Sequence, residues 1–267
     1  MTPIHSPAQA SAWGLVAALG LMTVVWVGSL VRKDASLVDR FWGLGFVILA
    51  WVYWMTADQA EGPSGVRMIA VGLVSAWGLR LSVYLTWRNW GHGEDYRYRT
   101  MRDKGGPAWP VLNLLTVHWV QGLVMWVVSL PVLVATRGAA TLSHPAVWVG
   151  LVLWLVGFGF ESIGDWQLIR FKADPANRGK VLDHGLWRYT RHPNYFGDAC
   201  VWWGIYGFAA AAGGWWTAVG PAVMTGLLLK VSGVALLEKQ LERTKPEYRD
   251  YVARTSPFFP RPPRSAA

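Results

Sequence analysis

Cysteine and charged side chains are both scarce in this chain of 267 residues. Cys200 is the single cysteine, so no internal disulfide framework can hold the fold. Charged residues make up 15% of the chain, whereas soluble domains carry about a quarter. An ordinary soluble domain is therefore excluded, and the 53% hydrophobic content points to a membrane protein.

Several motifs that identify a reaction class are also missing. The chain has no Walker-type loop and no GxGxxG loop, and no strand pattern surrounds its glycines, which excludes a P-loop and a Rossmann domain. The six histidines show no paired spacing, so no metal site is expected. The chain also contains no GxSxG segment, so no motif predicts a hydrolase. None of these motifs therefore predicts the reaction class, and any activity of the chain must be inferred from other residues.

Long apolar runs are what the chain has in abundance. Seven of them reach roughly the 20 residues that a bilayer-spanning helix needs, and they are continuous and not alternating, which predicts helices. We predict an all-α polytopic integral membrane protein with seven transmembrane helices in a single domain, residues 1–267. The first run is expected to be a retained span and not a cleaved signal peptide. The predicted spans are Ala12–Val31, Phe41–Ala57, Val66–Trp87, Pro110–Ala135, Val147–Leu168, Tyr195–Ala212 and Trp215–Leu237.

The basic residues predict the orientation of these spans. Alternate loops together with the tail hold 21 of the 25 basic residues. The positive-inside rule then places the N-terminus outside and the C-terminus in the cytoplasm, and we expect the inner membrane of a bacterium. Because the basic residues lie between apolar runs, we expect anionic lipid headgroups and a phosphate-bearing ligand as partners, and no nucleic acid.

Four of the ionisable residues that fall inside predicted spans bear on function, because charge there is costly and usually faces a partner or a cavity. They are Arg80, Glu161, Asp165 and Lys230. Glu161 and Asp165 are four apart and share one helix face. Two interpretations stay open: Asp165 pairs with Arg80 or Lys230 to hold the bundle together, or these groups bind a ligand.

The stretch Gly185–Gly204, GLWRYTRHPNYFGDACVWWG, concentrates polar groups immediately before an apolar run. A helix beginning near Asn194 presents free backbone N–H groups to an anionic ligand. Arg188 and Arg191 add the charge-assisted donors that phosphates favour. The alternative is a basic juxtamembrane loop that only obeys the positive-inside rule.

At these residues the chain resembles the superfamily of steroid 5-alpha-reductases, sterol reductases and isoprenylcysteine carboxyl methyltransferases, and most closely its bacterial reductase-like branch. The RHPNYFG core, the upstream GLWRY and the downstream EYRDYVARTSPFFP carry the resemblance. It is strongest over about residues 161–260. The motif is specific for the superfamily and not for the reaction.

In the reductase members, NADPH binds among the C-terminal helices and loops, and a hydride reduces a lipid carbon–carbon double bond. The segment from Asp165 to Lys172 resembles the reductases' N/D-x-Q-x-x-x-F-R element, with Lys172 in place of arginine. The resemblance implies a lipid-substrate side at residues 12–135 and a cofactor-binding half at 147–260. It assigns cofactor binding to Asp165, Lys172, Arg178, Tyr189, Arg191, His192, Asn194, Tyr195, Asp198, Lys230 and Tyr248.

The sequence departs from the characterised steroid reductases at the groups that polarise the substrate carbonyl. Those enzymes carry a Gln-Glu pair in the second span and a tyrosine in the third. The Gln-Glu pair is missing here, and the nearest candidates for catalysis are Asp39 and Tyr84. His118 and Gln121 are further polar groups in the fourth span. A steroid-like or other lipid is the substrate expected from the resemblance.

A second activity stays open because the methyltransferase members use the same RHPxYxG loop to bind S-adenosylmethionine. Their C-terminal ending resembles the segment from Glu247 to Arg254 equally well. The Asp165–Lys172 element favours the reductase, and a non-catalytic lipid-binding protein is the third alternative. The tail is expected either to cover the cytoplasmic face as a lid or to anchor itself at the membrane surface.

Overall fold

The computed structural model describes residues 6–57, 65–231, 238 and 247–264. Over these residues the chain is helical and contains no strand, which confirms the predicted all-α class. The α-helices are α1 Pro7–Arg32, α2 Leu37–Met55, α3 Gly65–Arg88, α4 Tyr96–Gly105, α5 Trp109–Asn113, α6 Trp119–Val128, α7 Leu130–Arg137, α8 Pro145–Ala173, α9 Pro193–Ala211, α10 Val219–Gly226 and a tail helix, Tyr248–Arg254.

Local sequence signals explain where the first helix begins and ends. Ser6 forms a capping box with Gln9, and Pro7 occupies the first turn, where its missing N–H is not needed. At the other end, Lys33 adopts a left-handed conformation with φ of 53°, and its N–H bonds to Leu30 O. Left-handed residues commonly end helices in this way.

Five helical segments of the described chain are long and apolar enough to cross a membrane. They are Pro7–Arg32, Leu37–Met55, Gly65–Arg88, Tyr96–Val128 and Pro145–Ala173. Helix α9 coincides with the predicted sixth span but is not among the five. The predicted seventh span begins with a 3-10 turn, Trp215–Ala218, followed by α10 and a π-helical turn, Leu227–Val231. Its remainder lies outside the described residues. The count of seven spans stays a prediction.

The chain divides into two compact units. One comprises the described residues up to Val147 together with Phe208–Gly220, and the other comprises Trp148–Gly207 with the described residues from Pro221 onward. In the first unit, α2 and α3 cross with Gly43 and Gly78 in backbone contact. Small residues allow such close approach between membrane helices.

In the second unit, α8 and α9 also cross through glycine. A Cβ on Gly197 would lie 2.5 Å from the backbone nitrogen of Glu161, and one on Gly157 would lie 2.5 Å from Gly197 O. Gly164 packs in the same way against Pro193. This close approach brings the acidic face of α8 next to the start of α9, where the RHPNY residues lie.

Candidate functional site

The loop between α8 and α9 folds back onto α8. Gly185 has φ of 62°, a left-handed conformation that glycine adopts without strain. The side-chain oxygen of Gln167 accepts a hydrogen bond of 3.0 Å from Leu186 N. The indole of Trp187 donates to Gly164 O at 3.1 Å. These bonds hold the segment before the RHPNY motif against the last turns of α8.

Asp165 and Asn194 are joined by a hydrogen bond. Asn194 Nδ2 donates to Asp165 Oδ1 at 3.2 Å, and Asn194 Oδ1 accepts from Tyr195 N at 3.1 Å. Asp165 is buried, as are Glu161 and Asp198. The structure therefore brings together the Asp165–Lys172 element and the RHPNY motif, which are about thirty residues apart in sequence.

The motif's arginine and histidine share one carboxylate, that of Glu238. Arg191 Nε and Nη2 form a two-pronged pair with its oxygens at 2.7 and 3.1 Å, and His192 Nε2 lies 3.1 Å from Oε1. Because a carboxylate only accepts, His192 donates from Nε2. Burial raises the pKa of Glu238, but the hydrogen bonds from His192 and Arg191 outweigh it, and the pKa is lowered overall.

The C-terminal tail is tied to the same motif. Arg191 Nη1 donates to Val252 O and Thr255 O at 3.1 and 2.6 Å, so every nitrogen of this guanidinium donates within the protein. Thr190 Oγ1 donates to Phe258 O at 2.8 Å, and the Tyr251 hydroxyl donates to Trp187 O. Burial is the largest cause of the raised pKa of Tyr251, which keeps this hydroxyl a donor.

The other residues predicted to bind a cofactor are either packed against aromatic rings of the protein or exposed. Tyr248 is buried and packs against Tyr251, and the ring of Tyr195 stacks on His192 at 5.4 Å between centroids. Tyr189 is exposed, and its carbonyl accepts from Arg261 N at 2.9 Å. The exposed cations around the motif loop and in the π-helical turn are Lys172, Arg178, Lys180, Arg188 and Lys230.

The first unit contains a separate polar cluster at the start of α2. Asp39 accepts a hydrogen bond of 2.7 Å from the Tyr98 hydroxyl and one of 3.3 Å from Arg97. Gln121 Nε2 donates to the same hydroxyl at 3.4 Å. Arg97 also pairs with Asp95, the residue before α4, at 3.0 Å. Burial alone would raise the pKa of the Asp95 carboxyl, but the hydrogen bonds from Arg97 lower it overall. The ring of Tyr84, the tyrosine predicted from sequence, lies 5.2 and 5.4 Å from the guanidinium groups of Arg80 and Arg88.

Two residues that complete these clusters were missed at the sequence level, Tyr98 and Glu238. Tyr98 lies in a basic segment, YRYRTMRDKG, that reads only as a cytoplasmic loop. Glu238 is the first acid after the last apolar run, a weak signal that no motif supports. In both cases the partner is far away in sequence, 59 residues for Asp39 and 46 for His192.

The outward surface of the long helices completes the class assignment. Large apolar side chains such as Val24, Val83, Val149 and Leu155 are more than half exposed. Continuous apolar exposure of this kind is unfavourable in water and expected in lipid. Over the described residues the chain is therefore a helical membrane protein, and two of its polar clusters lie around the RHPNY motif and around Asp39.

Comparison with known proteins identifies the family. The family model described as a protein of unknown function, DUF1295, matches residues 25–255. The chain belongs to this family, which is steroid 5-alpha-reductase-like.

Two relatives extend the comparison. The chain is 28% identical over 278 residues to the uncharacterized protein C594.04c of Schizosaccharomyces pombe, covering 93% of this chain and 79% of that protein. It is 36% identical over 77 residues to the probable O-methyltransferase ustE of Ustilaginoidea virens, covering 29% of this chain and 26% of that protein. No solved structure matches the chain.

Proposed function

We propose that this protein is an NADPH-dependent reductase of a carbon–carbon double bond in a steroid-like or other membrane lipid. The hydrogen bond between Asp165 and Asn194 carries the proposal. It joins the element that resembles the reductases to the motif that the whole superfamily shares. The steroid 5-alpha-reductase-like family supports the same assignment at a coarser level.

The side chains of the second unit fit the chemistry of NADPH. Residues 170–191 carry six basic and two acidic side chains, and phosphates need several cations. Lys172, Arg178 and Lys230 are exposed and suit that role. Arg191 is buried and its guanidinium holds Glu238 and the tail, so we assign it to positioning the motif.

Two polar side chains at the start of α9 fit the neutral end of the same cofactor. A carboxamide needs both a donor and an acceptor, and an Asn amide together with a carboxylate supplies them. Asn194 and Asp198 lie four residues apart on one face of α9. His192, stacked on Tyr195 and bonded to Glu238, fixes the turn from which this helix begins.

The reaction requires one group from the cofactor and one from the protein. When bound, NADPH would supply the hydride that adds to the far carbon of a double bond conjugated to a carbonyl, and it would leave as NADP⁺. The protein would supply the proton to the carbonyl oxygen, where negative charge develops, and a fixed donor is worth most in a site without water. We assign the proton to the Asp39–Tyr98 pair, in which Gln121 holds the tyrosine oxygen and Arg97 holds the carboxylate.

The alternative is a methyltransferase that uses S-adenosylmethionine. The local similarity to a probable O-methyltransferase favours it. The charge around the motif argues against it, because S-adenosylmethionine carries no phosphate and its sulfonium is positive, whereas the loop is strongly basic. In either case we propose a bacterial inner membrane protein whose motif loop and tail face the cytoplasm.

Thermal unfolding of the purified full-length protein in detergent tests the proposal. A cofactor that binds the folded state raises the melting temperature by mass action. We expect NADPH to stabilise the wild type and S-adenosylmethionine not to do so. Asp198→Asn and Lys172→Ala should reduce the gain from NADPH, and added salt should reduce it further. Lys104→Ala, which removes an exposed cation from the other unit, is the matched control and should keep the full gain.

Two outcomes would contradict the proposal. Stabilisation by S-adenosylmethionine and not by NADPH would establish the methyltransferase instead. The second outcome is an Asp198→Asn protein that is less stable without cofactor but whose melting temperature rises with NADPH as much as that of the wild type. Asp198 would then have only a structural role.

A further inference from the structure

A π-helical turn, Leu114–His118, interrupts the fourth predicted span between α5 and α6. Such turns insert one extra residue into a helix and are frequent at functional sites. This turn places two polar side chains, Asn113 and His118, in the interior, where they are 1% and 0% exposed. Neither residue takes part in the cofactor or Asp39 clusters. The turn therefore holds polar groups that the proposed reaction does not use.

The hydrogen bond of His118 determines which tautomer it adopts. Nδ1 lies 3.2 Å from Asn113 O, and a carbonyl oxygen can only accept, so Nδ1 carries the proton. In the neutral ring Nε2 is then an acceptor. Among the residues that the structure describes, nothing donates to this buried atom.

The side-chain oxygen of Asn113 is a second buried acceptor to which none of the described residues donates a hydrogen bond. Its amide nitrogen donates to Ser29 Oγ of helix α1 at 3.4 Å. Ser29 uses its own proton on Trp26 O at 2.7 Å, so its hydroxyl has none to give to Asn113. Both open positions at this turn accept hydrogen bonds, and both lie within an apolar span where an unmade hydrogen bond is costly.

We propose that Asn113 and His118 form a binding site for the hydroxyl group of a lipid alcohol. Acceptors select a group that donates, and the single proton of a hydroxyl meets one of these two acceptors. The neighbouring Leu115 and Trp119 are exposed on the outer, apolar surface of the helix. A neutral alcohol with a hydrophobic body meets both requirements, because its body stays in the lipid while its hydroxyl donates to the turn. An ether of the same shape can only accept and is excluded by the same chemistry. This site does not depend on the proposed reductase activity.

The test compares two alcohols, geranylgeraniol and cholesterol, with their methyl ethers. Binding to the full-length protein in detergent is measured from the shift in melting temperature as a function of ligand concentration. We expect at least one alcohol to bind the wild type roughly five- to tenfold more tightly than its ether, which is the contribution of one hydrogen bond. His118→Phe should remove this preference, and His118→Gln, which keeps an acceptor, should retain part of it.

Thr116→Val is the matched control. Thr116 lies in the same turn, but its hydroxyl is exposed and bonds to its own backbone at Leu112 O, so the preference for the alcohol should survive this change. Equal binding of alcohols and ethers by the wild type, or a preference that His118→Phe retains, overturns the proposal. A change in melting temperature of His118→Phe without any alcohol preference in the wild type means that the turn holds a buried water only, which also overturns it. If His118→Phe does not fold, the comparison in the wild type and in His118→Gln still decides.

Discussion

Replacing Glu238 by glutamine should loosen the attachment between the RHPNY motif and the tail. The side chains of Arg191 and His192 are only 7% and 5% exposed, and that of Glu238 is 18% exposed. The change keeps the shape of the side chain but leaves a buried guanidinium without its counter-charge. Breaking a fully buried pair costs about 3–5 kcal/mol, and we expect about 2–3 kcal/mol here because Glu238 keeps some contact with solvent. For a protein of this size that is a fall in melting temperature of roughly 5–10 °C.

The dependence on pH provides a second measurement of the same contact. The folded state lowers the pKa of Glu238 below its ordinary value of 4.5. Its contribution is therefore fully present above about pH 4.5 and is lost as the pH falls through the folded-state pKa. We expect the difference in stability between the wild type and Glu238→Gln to shrink below that pH. A constant difference down to pH 3 would show that the charge is not the cause.

The matched control is an exposed ion pair that involves the same tail. Arg254 lies 3.5 Å from Asp183, and both side chains are nearly half exposed. Exposed pairs contribute at most about 1 kcal/mol, so Arg254→Ala should change the melting temperature little. Limited trypsin digestion adds a local readout, since Glu238→Gln should release the tail helix for cleavage after Arg249 sooner than Arg254→Ala does. Equal digestion of the two variants would refute the assignment of Arg191 and Glu238 as the attachment point.

Two further predictions concern topology and the proton donor. A reporter fused after Ala267 should give a cytoplasmic signal, because that orientation places most basic residues inside; a signal from the opposite side of the membrane would contradict it. Tyr98→Phe should lower the turnover of an enone lipid by about a hundredfold or more, the range for one general acid, while its melting temperature with NADPH rises as in the wild type. Tyr84→Phe is the control that keeps turnover near normal, since the ring of Tyr84 packs against two arginines. A larger loss of turnover in Tyr84→Phe than in Tyr98→Phe would return the role of proton donor to Tyr84.

The candidate site shows how far residue types and spacing carry an interpretation. The motif indicated His192, Asn194 and Asp198, the element from Asp165 to Lys172 indicated Asp165, and the structure gathers these residues near the start of α9. Their roles toward a cofactor stay predictions. Arg191 is the instructive case: its charge predicted a phosphate ligand, but its donors are used by the protein itself. Sequence shows that a guanidinium is present and does not show which of several acceptors will reach it.

The sequence by itself determined the helical membrane class, because continuous apolar runs with lipid outside can satisfy their backbone only within a helix. It also determined where polar groups gather, since charge inside or beside such a run is too costly to be incidental. Only the tertiary structure decided the pairings: Asp39 with Tyr98, and Arg191 with Glu238. These partners lie dozens of residues apart, and many equivalent cations and hydroxyls compete for each carboxylate until helix packing brings one within reach. The π-helical turn at His118 was likewise invisible in the sequence, because it depends on how the fourth span packs against α1 and not on any residue's own preference.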